Sequence, residues 1–112
     1  MNFLNIKEEI ITDMVTINVK STSGETEIIK RLLSGGLKEE KRRIKFAIEI
    51  SASKIKKYEE KYGISTSVFT DKFKNREIEE SDDTFNWWAE EKLVNELKQK
   101  LSIIENIEIC QS

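Results

Sequence analysis

The residues Ile44, Ile48, Ser51, Ile55, Tyr58 and Tyr62 recur at alternating spacings of four and three, and Gly63 follows at once. That spacing is the seam of a helix that lies lengthwise on a neighbour, and Phe46, Ala47 and Ile50 widen it. No proline interrupts the chain, so the run from about 38 to 62 predicts a rod of roughly 37 Å from the rise per residue. A glycine just past the last helical residue takes the left-handed conformation readily, so Gly63 ends the rod and lets Ile64 turn back towards Tyr58. Ser65 is a natural N-cap for a short helix over about 66–74, and Ile64 with Phe69 occupies the two positions of a hydrophobic staple. A second long pattern follows through Trp87, Val94, Leu97, Leu101 and Ile104, with Glu90 at one seam position and Phe85, Trp88 and Leu93 beside it. It predicts a helix from Asp82 or Asp83 to about Glu105 or Ile107.

The expected fold is therefore mainly α. A long antiparallel helical hairpin, about 38–62 and 83–107, is joined by the short helix, in the manner of an αα-hairpin. Ahead of it a smaller unit is expected. Met14 to Lys20 alternates Val15, Ile17 and Val19 with Thr16, Asn18 and Lys20, the period of a half-buried strand over about 14–20. A lone strand leaves its backbone groups unpaired, so it must pair with a second copy, with residues near Phe3 to Ile6, or with another protein. Thr22 and Glu25 have capping-box spacing, and Ile28, Ile29, Leu32 and Leu33 predict a short helix over about 25–33 that Gly35 or Gly36 ends. At 112 residues and 38% apolar, the chain suits one domain, with an N-terminal strand-and-helix unit over residues 1–36 and the helical hairpin over residues 37–112.

Composition removes most chemistry. There is no histidine and only one cysteine, Cys110. Zinc sites, Ser-His-Asp triads and Cys-His pairs are thus excluded. Glu79, Glu80, Asp82 and Asp83 form an acidic cluster that could hold Mg²⁺ or Ca²⁺. Acids immediately ahead of an apolar-periodic run also suit the positive end of a helix dipole, and capping is the reading adopted. Gly35 and Gly36 lie outside any phosphate-loop spacing. No enzyme activity, cofactor or metal is expected. With 19 basic against 21 acidic side chains, no global field draws the chain to nucleic acid. The opening residues lack a signal-peptide pattern, no apolar run suits a membrane span, and the lone cysteine fits a reduced, cytoplasmic protein.

Three groups remain as candidates for contact. Phe46, Ile50, Phe85, Trp87 and Trp88 exceed what one hairpin seam buries and are the expected partner-binding residues; the adjacent tryptophans project about 100° apart, so both are covered only if two sides of that turn are. Val15, Ile17 and Val19 form a candidate dimerisation strand. Lys41, Arg42 and Arg43 are a candidate nucleic-acid contact, diluted by Glu39 and Glu40.

The series RRIKFAIEISASKIKKYEEKYGISTSVFTDKF, then SDDTF, then WWAEEKLVNELKQKL resembles small prokaryotic antitoxin-like helical proteins, partner subunits encoded beside small toxins. The matching positions are Tyr58 or Glu59, Lys61, Tyr62, Gly63, Ser65, Phe69, Phe73, Asp82, Asp83, Phe85 and Trp87, within about residues 42–107. The resemblance implies a non-catalytic subunit whose helical hairpin, coiled-coil-like in its seam, lies on a partner toxin. The alternative is a dimeric helical DNA-binding regulator or a self-assembling interaction protein.

Overall fold

A computed structural model describes residues 14–22 and 24–111. In chain order the elements are β1 (Val15–Val19), α1 (Thr26–Tyr62), α2 (Thr66–Lys74), α3 (Asp82–Glu105) and β2 (Ile107–Gln111). The protein is mainly helical, and α1 and α3 pack against each other. The chain divides into two compact units. One holds β1, α1 as far as Ile44, and the chain from Gln99 onward with β2; the other is Lys45–Lys98.

Three expectations require correction. Gly35 and Gly36 do not end a helix, because α1 runs unbroken for 37 residues from Thr26. Termination needs the left-handed conformation, and among the described glycines only Gly24 (φ 79°) and Gly63 (φ 68°) adopt it. Good helix formers on both sides carry the pair through at a cost of about 1 kcal/mol per glycine. The capping box of Thr22 and Glu25 does not form either. Thr22 lies in the turn before Gly24, and the Glu25 carbonyl accepts the first helical bond, from the Ile29 N–H at 3.1 Å.

The third correction concerns β1. Its partner is β2, in parallel, with Val15 opposite Ile107, Ile17 opposite Ile109 and Val19 opposite Gln111. The apolar residues of both strands thus share the same period, and the strand proposed for dimerisation is paired within its own chain. Phe3 to Ile6, the other partner considered, lie outside the described residues. Of the two expected ends of α3, Glu105 and Ile107, the structure takes Glu105, and Asn106 forms the turn that follows. Its N–H donates to the Ile103 carbonyl at 3.2 Å and its side-chain Nδ2 to the Ser102 carbonyl at 3.0 Å, after which Ile107, Glu108 and Ile109 alternate as a strand. In this unit Val19 and Ile44 are the buried apolar residues, while Val15 and Ile17 remain largely exposed.

The unit Lys45–Lys98 closes on a core of Ile55, Phe69, Trp87 and Val94, with Tyr58, Ile64, Phe73, Ile78 and Trp88 around it. The expected seam holds over Ser51 and Ile55, which are buried, and Tyr58, which is half-buried, whereas Tyr62 at its end remains 37% exposed. Its antiparallel sense is visible in the ion pairs, Lys61 with Asp83 at one end and Lys54 with Glu90, 3.6 Å apart, further along. Glu90 sits in the seam as expected, and its Oε1 is buried without a hydrogen-bond partner. Gly63 and Ser65 behave as read: the Gly63 N–H closes on the Glu59 carbonyl at 2.8 Å, and Ser65 Oγ accepts from the Val68 N–H at 3.2 Å.

At the far end of α2 the chain turns through a Schellman motif. The Glu77 N–H bonds the Lys72 carbonyl and the Arg76 N–H bonds the Phe73 carbonyl, with Arg76 at φ 57° where glycine is usual.

The continuity of α1 has a direct test. A Cβ added at Gly35 or Gly36 meets nothing within 4 Å. Gly35→Ala and Gly36→Ala are therefore each expected to stabilise the protein by up to about 1 kcal/mol in urea unfolding, whereas glycines that terminated a helix would make the same changes destabilising.

Candidate functional site

Tyr58, Glu59, Lys61, Tyr62, Thr66, Phe69, Asp83 and Trp87 come together where α1 ends, α2 begins and α3 begins. Trp87 is fully buried there. Its indole stacks on the Phe69 ring with centroids 3.9 Å apart and planes 1° from parallel, and the rings of Tyr58 and Tyr62 each lie 5.8 Å from it. A buried indole N–H needs an acceptor. Trp87 Nε1 donates to Thr66 Oγ1 at 3.1 Å, and that hydroxyl donates onward to Glu59 Oε2 at 2.8 Å. The same carboxylate oxygen accepts the Thr66 backbone N–H at 2.8 Å, one of the free donors of the first turn of α2. One glutamate on α1 thereby caps α2 and orients the group that satisfies α3.

A second latch lies beside it. Asp83 Oδ2 accepts from Lys61 Nζ and from the Tyr62 hydroxyl at 2.8 Å. The hydrogen bond from Lys61, then that from Tyr62, holds the Asp83 carboxyl below its ordinary range. The hydrogen bond to Asp83 raises Lys61 and Tyr62 in turn. The N-cap of α3 is Ser81: its Oγ accepts the Thr84 N–H at 3.2 Å, while Thr84 Oγ1 accepts the Ser81 N–H at 2.8 Å. This is a reciprocal capping box with threonine in the place usual for glutamate. Asp82 and Asp83 then occupy the first turn, as the acidic cluster suggested. No group of three or more potential metal ligands comes together among the described residues.

The expected partner-binding residues do not form one site. Trp87 leaves that set because the chain's own core buries it completely. Trp88 is half-buried and stacks on Phe73 at 5.1 Å, and Phe85, 51% exposed, meets Phe73 edge-on at 5.7 Å. Phe73 therefore joins Trp88 and Phe85. Phe46 and Ile50 lie one turn apart on α1, exposed by 59% and 44%, and share no ring contact with that pair. Of the basic candidates, Arg42 is held by Glu39 at 2.6 Å and Arg43 by Glu40 at 3.4 Å. Lys41 lies with Leu37, Lys38, Ile104, Glu105 and Ile109 around an open depression of about 350 Å³.

Sequence reasoning missed Thr66, Glu59 as a cap, and Ser81 with Thr84. The Ser-x-x-Thr spacing ahead of an apolar run was a usable sign for the last pair. Nothing in the sequence linked Glu59 to Thr66 to Trp87, because the link exists only once the turn at Gly63 has closed. Comparison with protein families, with curated proteins and with solved structures finds no match.

Two outcomes follow from the latches. Thr66→Val keeps the shape but leaves the Trp87 N–H without its acceptor, and a loss of about 1–3 kcal/mol is expected in chemical unfolding; an unchanged midpoint would mean that the bond carries nothing. For Asp83 the folded-state value is depressed, so its contribution is complete above the unfolded carboxylate value of about 3.9 and is lost as pH falls through the lower folded value. Lys61 and Tyr62 are raised, so theirs is complete below about pH 10 and is lost as pH rises through their folded values. Melting temperature followed against pH should decline at both extremes, and Asp83→Asn should flatten each limb.

Proposed function

We propose that the chain is a non-catalytic, antitoxin-like binding subunit that engages a partner protein through the outer surface of its helices. The observation that carries this reading is the contrast within Lys45–Lys98. Its aromatic core is closed by its own residues, with Phe69 and Trp87 fully buried, yet Phe46, Ile50, Phe85 and Leu93 remain 42–59% exposed. Single exposed apolar residues are ordinary on a protein surface. Several large ones on helices whose seam is already filled suit an interface whose other side is another molecule. The motif resemblance supplies the particular kind of partner, a small toxin encoded nearby, and the same reading places the protein in the cytoplasm. No helix among the described residues is long and apolar enough to cross a membrane.

The alternative of a dimeric DNA-binding regulator has less support, since Arg42 and Arg43 are each engaged by a glutamate one turn away. Self-assembly draws on the same exposed residues and is separated from partner binding by mass. Co-expression with the products of neighbouring reading frames, followed by pull-down and mass measurement of the complex, is expected to yield a stoichiometric heteromer. Phe46→Ala with Ile50→Ala should weaken it at least about tenfold while leaving the melting temperature nearly unchanged, as exposed truncations do. A chain that stays alone with every neighbour overturns the reading.

A further inference from the structure

The surface around Trp88 has a charge pattern that its own chain does not complete. Lys74 Nζ, from the end of α2, lies 5.9 Å from the Trp88 ring centroid, and Lys92 Nζ, one turn further along α3, lies 6.0 Å from it. Each lysine has a carboxylate at a helical spacing that commonly gives an ion pair: Asp71 is three residues before Lys74, and Glu96 is four residues after Lys92. Neither pair forms. Among the described residues the ion pairs are those of Arg42, Arg43, Lys54 and Lys61. Both ammonium groups instead sit at the half-buried indole in a cation–π arrangement, with no carboxylate as ion-pair partner. Beside them Phe85 exposes half of its surface.

We infer that the Trp88–Phe85 surface, flanked by Lys74 and Lys92, is a docking site for an acidic segment of a partner protein, an apolar or aromatic side chain flanked by carboxylates. This deepens the binding-subunit reading and takes it as its starting point. Complementary charge is the argument: two lysines without ion-pair partners, beside a half-buried Trp88 and an exposed Phe85, are matched by carboxylates flanking an apolar group. The same pairing of aromatics and lysines also occurs in nucleic-acid sites, but there bases need open ring faces and the backbone needs a line of cations. Here Phe73 stacks on the Trp88 ring at 5.1 Å, and Glu90 and Glu91 follow Trp88 by two and three residues. A peptide is the better fit.

The test uses the full chain and a short synthetic peptide with a central Phe-Leu pair flanked by glutamates, with indole fluorescence as the readout. Trp87 is fully buried and supplies a constant background, and Trp88→Phe should abolish the change. Binding is expected to shift the emission, to weaken as salt rises, and to fall at least about tenfold in the Lys74→Glu, Lys92→Glu double variant. Both lysines are exposed, so the fold should persist; Lys74→Gln with Lys92→Gln gives an intermediate loss without charge repulsion. No shift with the peptide, equal affinity in the double variant, or tighter binding of oligothymidylate through the same lysines overturns the inference. A co-expressed heteromer unaffected by the double variant removes this site and leaves the binding-subunit reading standing. Peptide binding without any heteromer does the reverse.

Discussion

The stack of Trp87 on Phe69, with the Trp87 N–H tied through Thr66 to Glu59, is the interaction on which the unit Lys45–Lys98 depends. It draws together the end of α1, the start of α2 and the first turns of α3. A large aromatic group in this position does two things at once. Its area provides much of the apolar burial available to so small a core. Its single N–H allows only those arrangements in which an acceptor comes within reach. Thr66 can be that acceptor only if α2 leaves α1 at one angle, and Gly63, Ile64 and Ser65 establish that angle. The Lys61–Tyr62–Asp83 latch then ties the end of α1 to the start of α3 at the same corner. Apolar packing supplies stability, and the polar chain supplies direction.

The features of this corner that were legible in the sequence are those whose cause lies within a few residues. Gly63 as a terminator, Ser65 as a cap, the extent of α2 and the acidic start of α3 each follow from local backbone geometry, and they stand as read. Gly35 and Gly36 show the limit of that method. A glycine permits the left-handed turn without requiring it, and only Gly63 is followed by a residue able to cap a new helix, Ser65, and by a staple to hold it. After Gly36 the sequence continues as good helix former, so the cheaper outcome is to keep the helix. The strand β2 was hidden for a different reason. Ile103, Ile104 and Ile107 satisfy helical spacing as well as Ile107 and Ile109 satisfy strand spacing, and the decision is made by Asn106 and by the presence of β1 nearly a whole chain away in sequence. Non-local pairing of this kind leaves little trace in a window of ten residues.

The candidate contact residues divide along the same line. The expectation that adjacent tryptophans need two covered sides is met in an asymmetric way. Trp87 is enclosed by its own chain, while Trp88 is covered on one side by Phe73 and keeps the rest of its ring at the surface beside two lysines. Sequence spacing placed the pair on two sides of a helix. It could not say which side was the inside, because that depends on where α2 lies.

The distribution of polar groups also shows what the carboxylates of this chain are committed to. General acid–base chemistry requires an acid or base whose proton can leave, which means a group poised near neutrality and open to substrate. The carboxylates best placed for that here are engaged. Glu59 caps α2, Asp83 is held ionised by Lys61 and Tyr62, and Glu39 is held by Arg42. Asp83 and Glu39 are driven towards permanent charge, the opposite of what general acid catalysis needs. Among the described residues Glu90 has a buried oxygen without a hydrogen-bond partner, and it faces the helix seam, where Lys54 is its ion-pair partner. The acids of this corner thus serve the chain's own helix ends, and the groups left at the surface beside it are the half-exposed ring of Phe85 and the two lysines at Trp88.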